Sequence, residues 1–237
     1  MFIDTKARTN QIELMDDFSI EGEHLRKTLD QIAQINRLLG GNKITLNGVE
    51  NLIRKIPKSE EITIIDLGCG NGDMLRALSV YADRNGWDFR LIGIDANTAT
   101  IEYARELSAL YPNITYLSED IFSERFEYLE YDIALCTLTL HHFKEDELVH
   151  LMEVMKKQAN IGIVVNDLHR NALAYRLFQL VCFVFRLDEM PKKDGLISIL
   201  RGFKRKELIR FSEKLKFKNY TIRWKWAFRY QWVISKI

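Results

Sequence analysis

The chain has 237 residues, 47% of them hydrophobic, with 34 Lys and Arg against 33 Asp and Glu. That length suits one domain with a substantial core, and a formal charge of +1 carries no global signal for nucleic acid or an acidic partner. Cys69, Cys136 and Cys182 lack close pairing and metal-ligand spacing. They argue against a disulfide framework and for a reducing compartment, and give no expectation of a metal.

The first twenty residues set Asp4, Glu13, Asp16 and Asp17 around Ile12, Leu14 and Met15, with no apolar secretory core and no clear periodicity. From 21 to 39, Leu25, Leu29, Ile32, Ile35, Leu38 and Leu39 keep helical spacing until Gly40-Gly41 ends it. Asn47 suits the N-cap of a short helix reaching Ile56 before Pro57. Residues 1–56 are therefore expected to form a helical segment outside a 57–237 domain. It is either a lid over a site or cover for a sheet edge.

Strand patterns follow at 62–67, 89–94, 114–118, 131–138 and 161–166, alternating with helical patterns at 73–84, 98–110, 145–158, 171–187 and 204–215. Such alternation predicts a parallel sheet with helices on both faces. The last stretch changes to period two, with Tyr220, Ile222, Trp224, Trp226 and Phe228 against Thr221, Arg223, Lys225, Ala227 and Arg229, continuing through Ile234. Two strands so closely joined pair antiparallel. The fold class is α/β: a Rossmann-like, seven-stranded, mostly parallel sheet closed by a C-terminal antiparallel hairpin. The longest apolar stretch, 172–187, contains Arg176 and Gln179 and is too short for a transmembrane segment, so a cytoplasmic protein is expected.

The stretch at 62–74, ITIIDLGCGNGDM, runs a strand into three glycines and then a helix. Glycines there let a backbone approach a nucleotide where a Cβ would collide. A dinucleotide turn would want a third small residue at position 73, where Asp73 stands. The second strand ends in Asp95, placed to accept hydrogen bonds from ribose hydroxyls or, in the structural alternative, to cap the helix from Thr98. Ala96 is small enough to sit beside a base. The glycine spacing in D-L-G-C-G-N-G resembles the first motif of the class I S-adenosylmethionine (AdoMet)-dependent methyltransferases. Tyr131 to Phe143 resembles their fourth, and four motifs stand in order over 62–143.

The resemblance implies AdoMet as cofactor and S-adenosylhomocysteine as product. It implies Asp66, Gly68, Cys69, Gly70 and Gly72 at the methionine end, Asp120 on the adenine amino group, Ile121 on its ring, and Cys136 and Thr137 beside the sulfonium and acceptor. Positioning supplies most of the rate in such a displacement, and a base is needed where the acceptor must lose a proton. The candidates are His142, then His169, then His141. Residues 165–176 and 194–203 resemble a bacterial subgroup acting on small aromatic or polyketide-type acceptors. The apolar helix near 172–186 reads either as buried or as the wall of an acceptor pocket.

The function expected is methyl transfer to a small, largely apolar acceptor (aromatic, polyketide-like or quinone-like) at oxygen or carbon. Two alternatives stand beside it. From Lys192 to Arg229, thirteen Lys and Arg face three Asp and Glu, which would suit RNA or a carrier-bound substrate. An edge hairpin guarded by lysines is the plainer account of that bias, with its aromatics packed inward. A non-catalytic AdoMet-binding sensor or partner module would carry the same cofactor motifs. A homodimer is left open.

Overall fold

The computed structural model describes residues 3–237. Seven strands, β1 (Glu61–Leu67), β2 (Asp88–Asp95), β3 (Ile114–Ser118), β4 (Tyr131–Thr137), β5 (Ala159–Leu168), β6 (Asn219–Lys225) and β7 (Arg229–Ser235), form one sheet in the order β3-β2-β1-β4-β5-β7-β6. The first five are parallel, and β7 inserts antiparallel between β5 and β6. Central strands buried on both faces read as continuous apolar runs. In β1, Ile62 and Ile64 serve one core layer while Ile65 and Leu67 serve the other.

The described residues form eight α-helices: α1 (Gly22–Leu38), α2 (Gly41–Ile53), α3 (Asp73–Asn85), α4 (Thr98–Leu107), α5 (Glu145–Gln158), α6 (Ala172–Val184), α7 (Glu189–Arg201) and α8 (Arg205–Lys214), of which α2, α3, α4, α5 and α8 pack on the sheet. On one face Val49, Leu52 and Ile53 of α2 pack with Leu75 and Leu78 of α3. On the other, Met152 and Met155 of α5 meet Leu208 and Phe211 of α8 around Trp232 of β7. Among the described residues no helix is long and apolar enough to cross a membrane.

Four departures from the sequence expectations have local causes. First, α2 begins at Gly41, not at Asn47, because Gly40 takes a left-handed φ of 75° and redirects the chain within one residue. Asn47 lies inside the helix and bonds Glu50. Second, α7 is a full helix that periodicity did not reveal. Its Pro191 occupies the first turn, where a missing N–H has no intrahelical partner to lose. Third, α6 is not buried: Ala174 and Cys182 turn inward, while Phe183 is 81% exposed. Fourth, Trp224 and Trp226, expected to pack inward, are 49% and 65% exposed: Trp224 lies on the edge strand β6, with only β7 beside it, and Trp226 lies in the turn between the two.

Residues 5–20 run as a largely extended strap with a short turn at Leu14–Asp16 and another at Phe18–Ser19. Thr9 N–H reaches the Leu200 carbonyl, and Leu14 and Met15 N–H donate to the two oxygens of Asp194 at 2.8 and 3.0 Å. The buried Arg170 holds the strap's beginning through the carbonyls of Thr5 and Lys6. It also forks onto Glu207 at 2.7 and 3.0 Å.

Candidate functional site

The winding of the sheet reverses between β1 and β4, and the crevice outside their carboxyl ends is where an open α/β sheet binds ligands. The β1–α3 turn rims it. Gly68 and Gly70 have φ of 66° and 52°, values that favour glycine. A Cβ on Gly68 would lie 2.6 Å from Thr139 Cγ2. On Gly70 it would make an ordinary contact with Leu29 Cδ2 at 3.7 Å. Gly72 has a different job: its missing Cβ makes room for the Tyr116 hydroxyl, 2.0 Å from where the carbon would stand. It packs the turn onto β3 and does not line the cavity.

Asp95 closes the other side. Its Oδ2 accepts the Gly70 N–H at 3.1 Å and its Oδ1 the Asn97 N–H at 3.0 Å. The cap of α4 is Asn97, whose Oδ1 accepts from Thr100 N–H at 2.9 Å. The structural alternative considered for Asp95 is thus filled by its neighbour. Asp66 is buried with Oδ1 lacking any partner. Burial, then the charges of Asp95 and Asp73, push its pKa up to about 8.

These groups open on a cavity of about 1150 Å³, larger than a single small ligand needs. Gly68, Cys69, Gly70, Ala96, Asp120, Ile121 and Thr137 line it with Asp66 and Asp95. Cys136 does not. Strand alternation turns its thiol into the core, 3.9 Å from Met155 Sδ. The opposite wall is apolar: Leu25 and Leu29 of α1, Phe18 and Ile20 of the strap, and Phe178 and Val181 of α6.

His141 and His142, in a short turn after β4, lie at the strap end of the cavity with ring centroids 4.3 Å apart. His141 is 2% exposed, with Nδ1 2.7 Å from Asp167 Oδ1 and Nε2 3.5 Å from Glu13 Oε1. Burial disfavours its charged form, but Asp167 and Glu13 outweigh that and raise its pKa to about 9. His142 Nδ1 is 2.5 Å from Asp16 Oδ1. Burial works against the Asp16 carboxylate, yet His142 and Arg201 hold its pKa well below the usual range. Arg201 donates to the carbonyls of His141 and His142 and, at 2.7 Å, to Asp16 Oδ2. His169 is elsewhere. It accepts from Trp224 Nε1 at 3.3 Å, packs on Tyr230 of the hairpin and does not line the cavity.

Glu13, Asp16, Asp167, Ser198 and Arg201 belong to this site without having been singled out as site residues. The acidic character of residues 13–17 and the polar end of β5 were visible, but nothing local says that they converge.

Comparison with known proteins agrees with this geometry. A family described as a methyltransferase domain matches residues 64–162. A carboxy-S-adenosyl-L-methionine synthase of Campylobacter jejuni is 23% identical over 205 residues, 81% of this chain and 84% of its own. A putative methyltransferase, 235L, of Invertebrate iridescent virus 6 is 28% identical over 124 residues, 52% of this chain. That match spans less than half, 44%, of the viral protein. Among solved structures, the plantazolicin methyltransferase BpumL in complex with SAH superposes with a TM-score of 0.64 at 16% identity, covering 90% of each chain.

Proposed function

We propose that the chain is a Rossmann-like S-adenosylmethionine-dependent methyltransferase, supported by the family match over residues 64–162, and that it methylates a small, largely apolar acceptor at oxygen or carbon. The cavity carries this reading. One cavity joins a polar rim at the glycine turn to an apolar wall and ends at two histidines. It is large enough for cofactor and acceptor together.

The residues around the glycine turn fit the cofactor. Gly68 and Gly70 line the cavity with backbone a ligand can approach, and Asp66 Oδ1 is buried without a hydrogen-bond partner among the described residues. In this reading Asp66 and the 68–72 turn hold the methionine end, Asp95 takes the ribose hydroxyls with Ala96 beside the base, and Asp120 and Ile121 hold the adenine. When bound, the cofactor supplies an electrophilic methyl group on a sulfonium. Phe18, Leu25, Phe178 and Val181 then exclude water and fix the acceptor's orientation, which is where most of the rate arises. Thr137 borders the acceptor, and the acceptor's proton is drawn off at the His141–His142 end. One structural neighbour is a plantazolicin methyltransferase, which supports a small acceptor. Of the expected 1–56 cap, residues 5–38 act as a cap in this scheme, because the strap and α1 supply the wall facing the turn, whereas α2 packs into the sheet core.

The basic stretch favours RNA less than a pocket ligand, since Arg210 and Arg201 are committed to Glu145 and Asp16. The test is to incubate the protein with AdoMet and a panel of phenols, quinols and β-dicarbonyl compounds, following S-adenosylhomocysteine release and product mass. Turnover of such acceptors should be indifferent to salt. Methylation of RNA alone, falling steeply as salt rises, would overturn the reading.

A further inference from the structure

The imidazoles at the end of the cavity are arranged as ligands rather than as one isolated base. Each points Nδ1 at its own carboxylate, His141 at Asp167 and His142 at Asp16, at 2.7 and 2.5 Å. That pairing places a proton on Nδ1 and leaves Nε2 as the atom a metal would take, the orientation that carboxylates impose on metal-binding histidines, with metal binding displacing any proton held there. Both Nε2 atoms face Glu13: His141 Nε2 is 3.5 Å from Oε1 and His142 Nε2 3.8 Å from Oε2. The ligand atoms of the three residues lie within 4.8 Å of one another. Donors around a tetrahedral ion at 2.0–2.1 Å stand about 3.4 Å apart. His141 Nε2 and Glu13 Oε1 have no hydrogen-bond partner, though their residues are only 2% and 4% exposed. Ser198 Oγ donates to Glu13 Oε2 at 2.5 Å, which orients the carboxylate, and Oε1 faces His141 Nε2 at 3.5 Å and Arg201 Nη1 at 3.6 Å.

Charge points the same way. The carboxylates of Glu13, Asp16, Asp167 and Asp194 surround the pair, while Arg8 and Arg201 are the guanidiniums bonded to its backbone carbonyls. Arg229, buried and attracted to Asp167, is a third guanidinium, so with neutral imidazoles the four carboxylates exceed the cations by one, which still favours a cation.

We propose that Glu13, His141 and His142 bind one divalent transition-metal ion of the zinc, cobalt or iron(II) class, with an open coordination position toward the cavity. Two imidazoles and one carboxylate suit these ions, and three protein ligands leave a place for an exogenous oxygen. Its role rests on the function proposed above. An acceptor hydroxyl coordinates the ion, its O–H bond breaks, the proton leaves to solvent, and the oxygen anion stays metal-bound for methylation. Sequence spacing gave no hint of this site because Glu13 comes from the strap.

The experiment uses untagged full-length protein stripped with a chelator and titrated with Co²⁺, read by visible d–d absorption. One equivalent should develop intense tetrahedral bands that Zn²⁺ abolishes. Glu13→Gln and His142→Ala should each weaken binding by about 100-fold or more, and Asp16→Asn by about 10-fold. His169→Ala should match the wild type, and circular dichroism checks that each variant folds. No stoichiometric band, or affinity unmoved by the three substitutions, overturns the site. Full turnover by the stripped enzyme overturns the ion's role and leaves methylation standing. Co²⁺ binding in a protein that methylates none of the small acceptors would instead tell against the function, not the site.

Discussion

The carboxyl group of Asp66 is enclosed with one oxygen unpartnered, and its surroundings raise its pKa from 3.8 to about 8. Between about pH 4 and 8 the folded protein therefore holds a proton that the unfolded chain has released. Stability from this group is complete below pH 4 and is lost as pH rises through 8. A cofactor ammonium beside Asp66 would favour the ionised form. AdoMet binding at pH 7 should then release close to one proton, measurable by calorimetry in buffers of different ionisation enthalpy. Asp66→Asn should abolish that release. Equal apparent enthalpies in all buffers would remove Asp66 from the charged end of the cofactor. For Asp95, loss of charged hydrogen bonds in Asp95→Ala should weaken AdoMet binding by about 1.5–3 kcal/mol, roughly 10- to 150-fold. Unchanged affinity would reject the ribose role.

Among the elements, those with strong local signals stand close to where the sequence put them. Strand β3 matches its predicted span and α5 does too, because alternation and 3.6-residue spacing act within a few residues. The strap and α7 had no such signal. The strap has no repeating pattern, and Pro191 looks like a breaker until its first-turn position is known. Yet these two elements carry Glu13, Asp16, Asp194 and Arg201. Asp194 is their joint, receiving the N–H groups of Leu14 and Met15. Asp194→Ala should release the strap, so that limited proteolysis near residues 8–20 accelerates while the sheet core keeps its hydrogen-exchange protection. Unaltered cleavage would show that the strap is held by its other contacts. Helix α6 gives the converse lesson. Its composition reads as core, but it packs only one side against α7 and the cavity, leaving Leu173, Leu180 and Phe183 outward.

In the whole molecule, the sequence by itself determined the order of strands and helices, the glycine turn and the cofactor class. Those depend on periodicity, turn chemistry and a motif contained in a few consecutive residues. Even the antiparallel hairpin follows from its short connection. Tertiary structure alone decided that Cys136 and Gly72 serve packing, that His169 belongs to the hairpin, and that Glu13 meets His141 and His142. It also decided how Arg170 binds the strap to Glu207. These outcomes join groups more than a hundred residues apart or depend on which face a neighbour covers. Burial and hydrogen-bond satisfaction are settled only when every element has docked, and no local pattern in the chain encodes them.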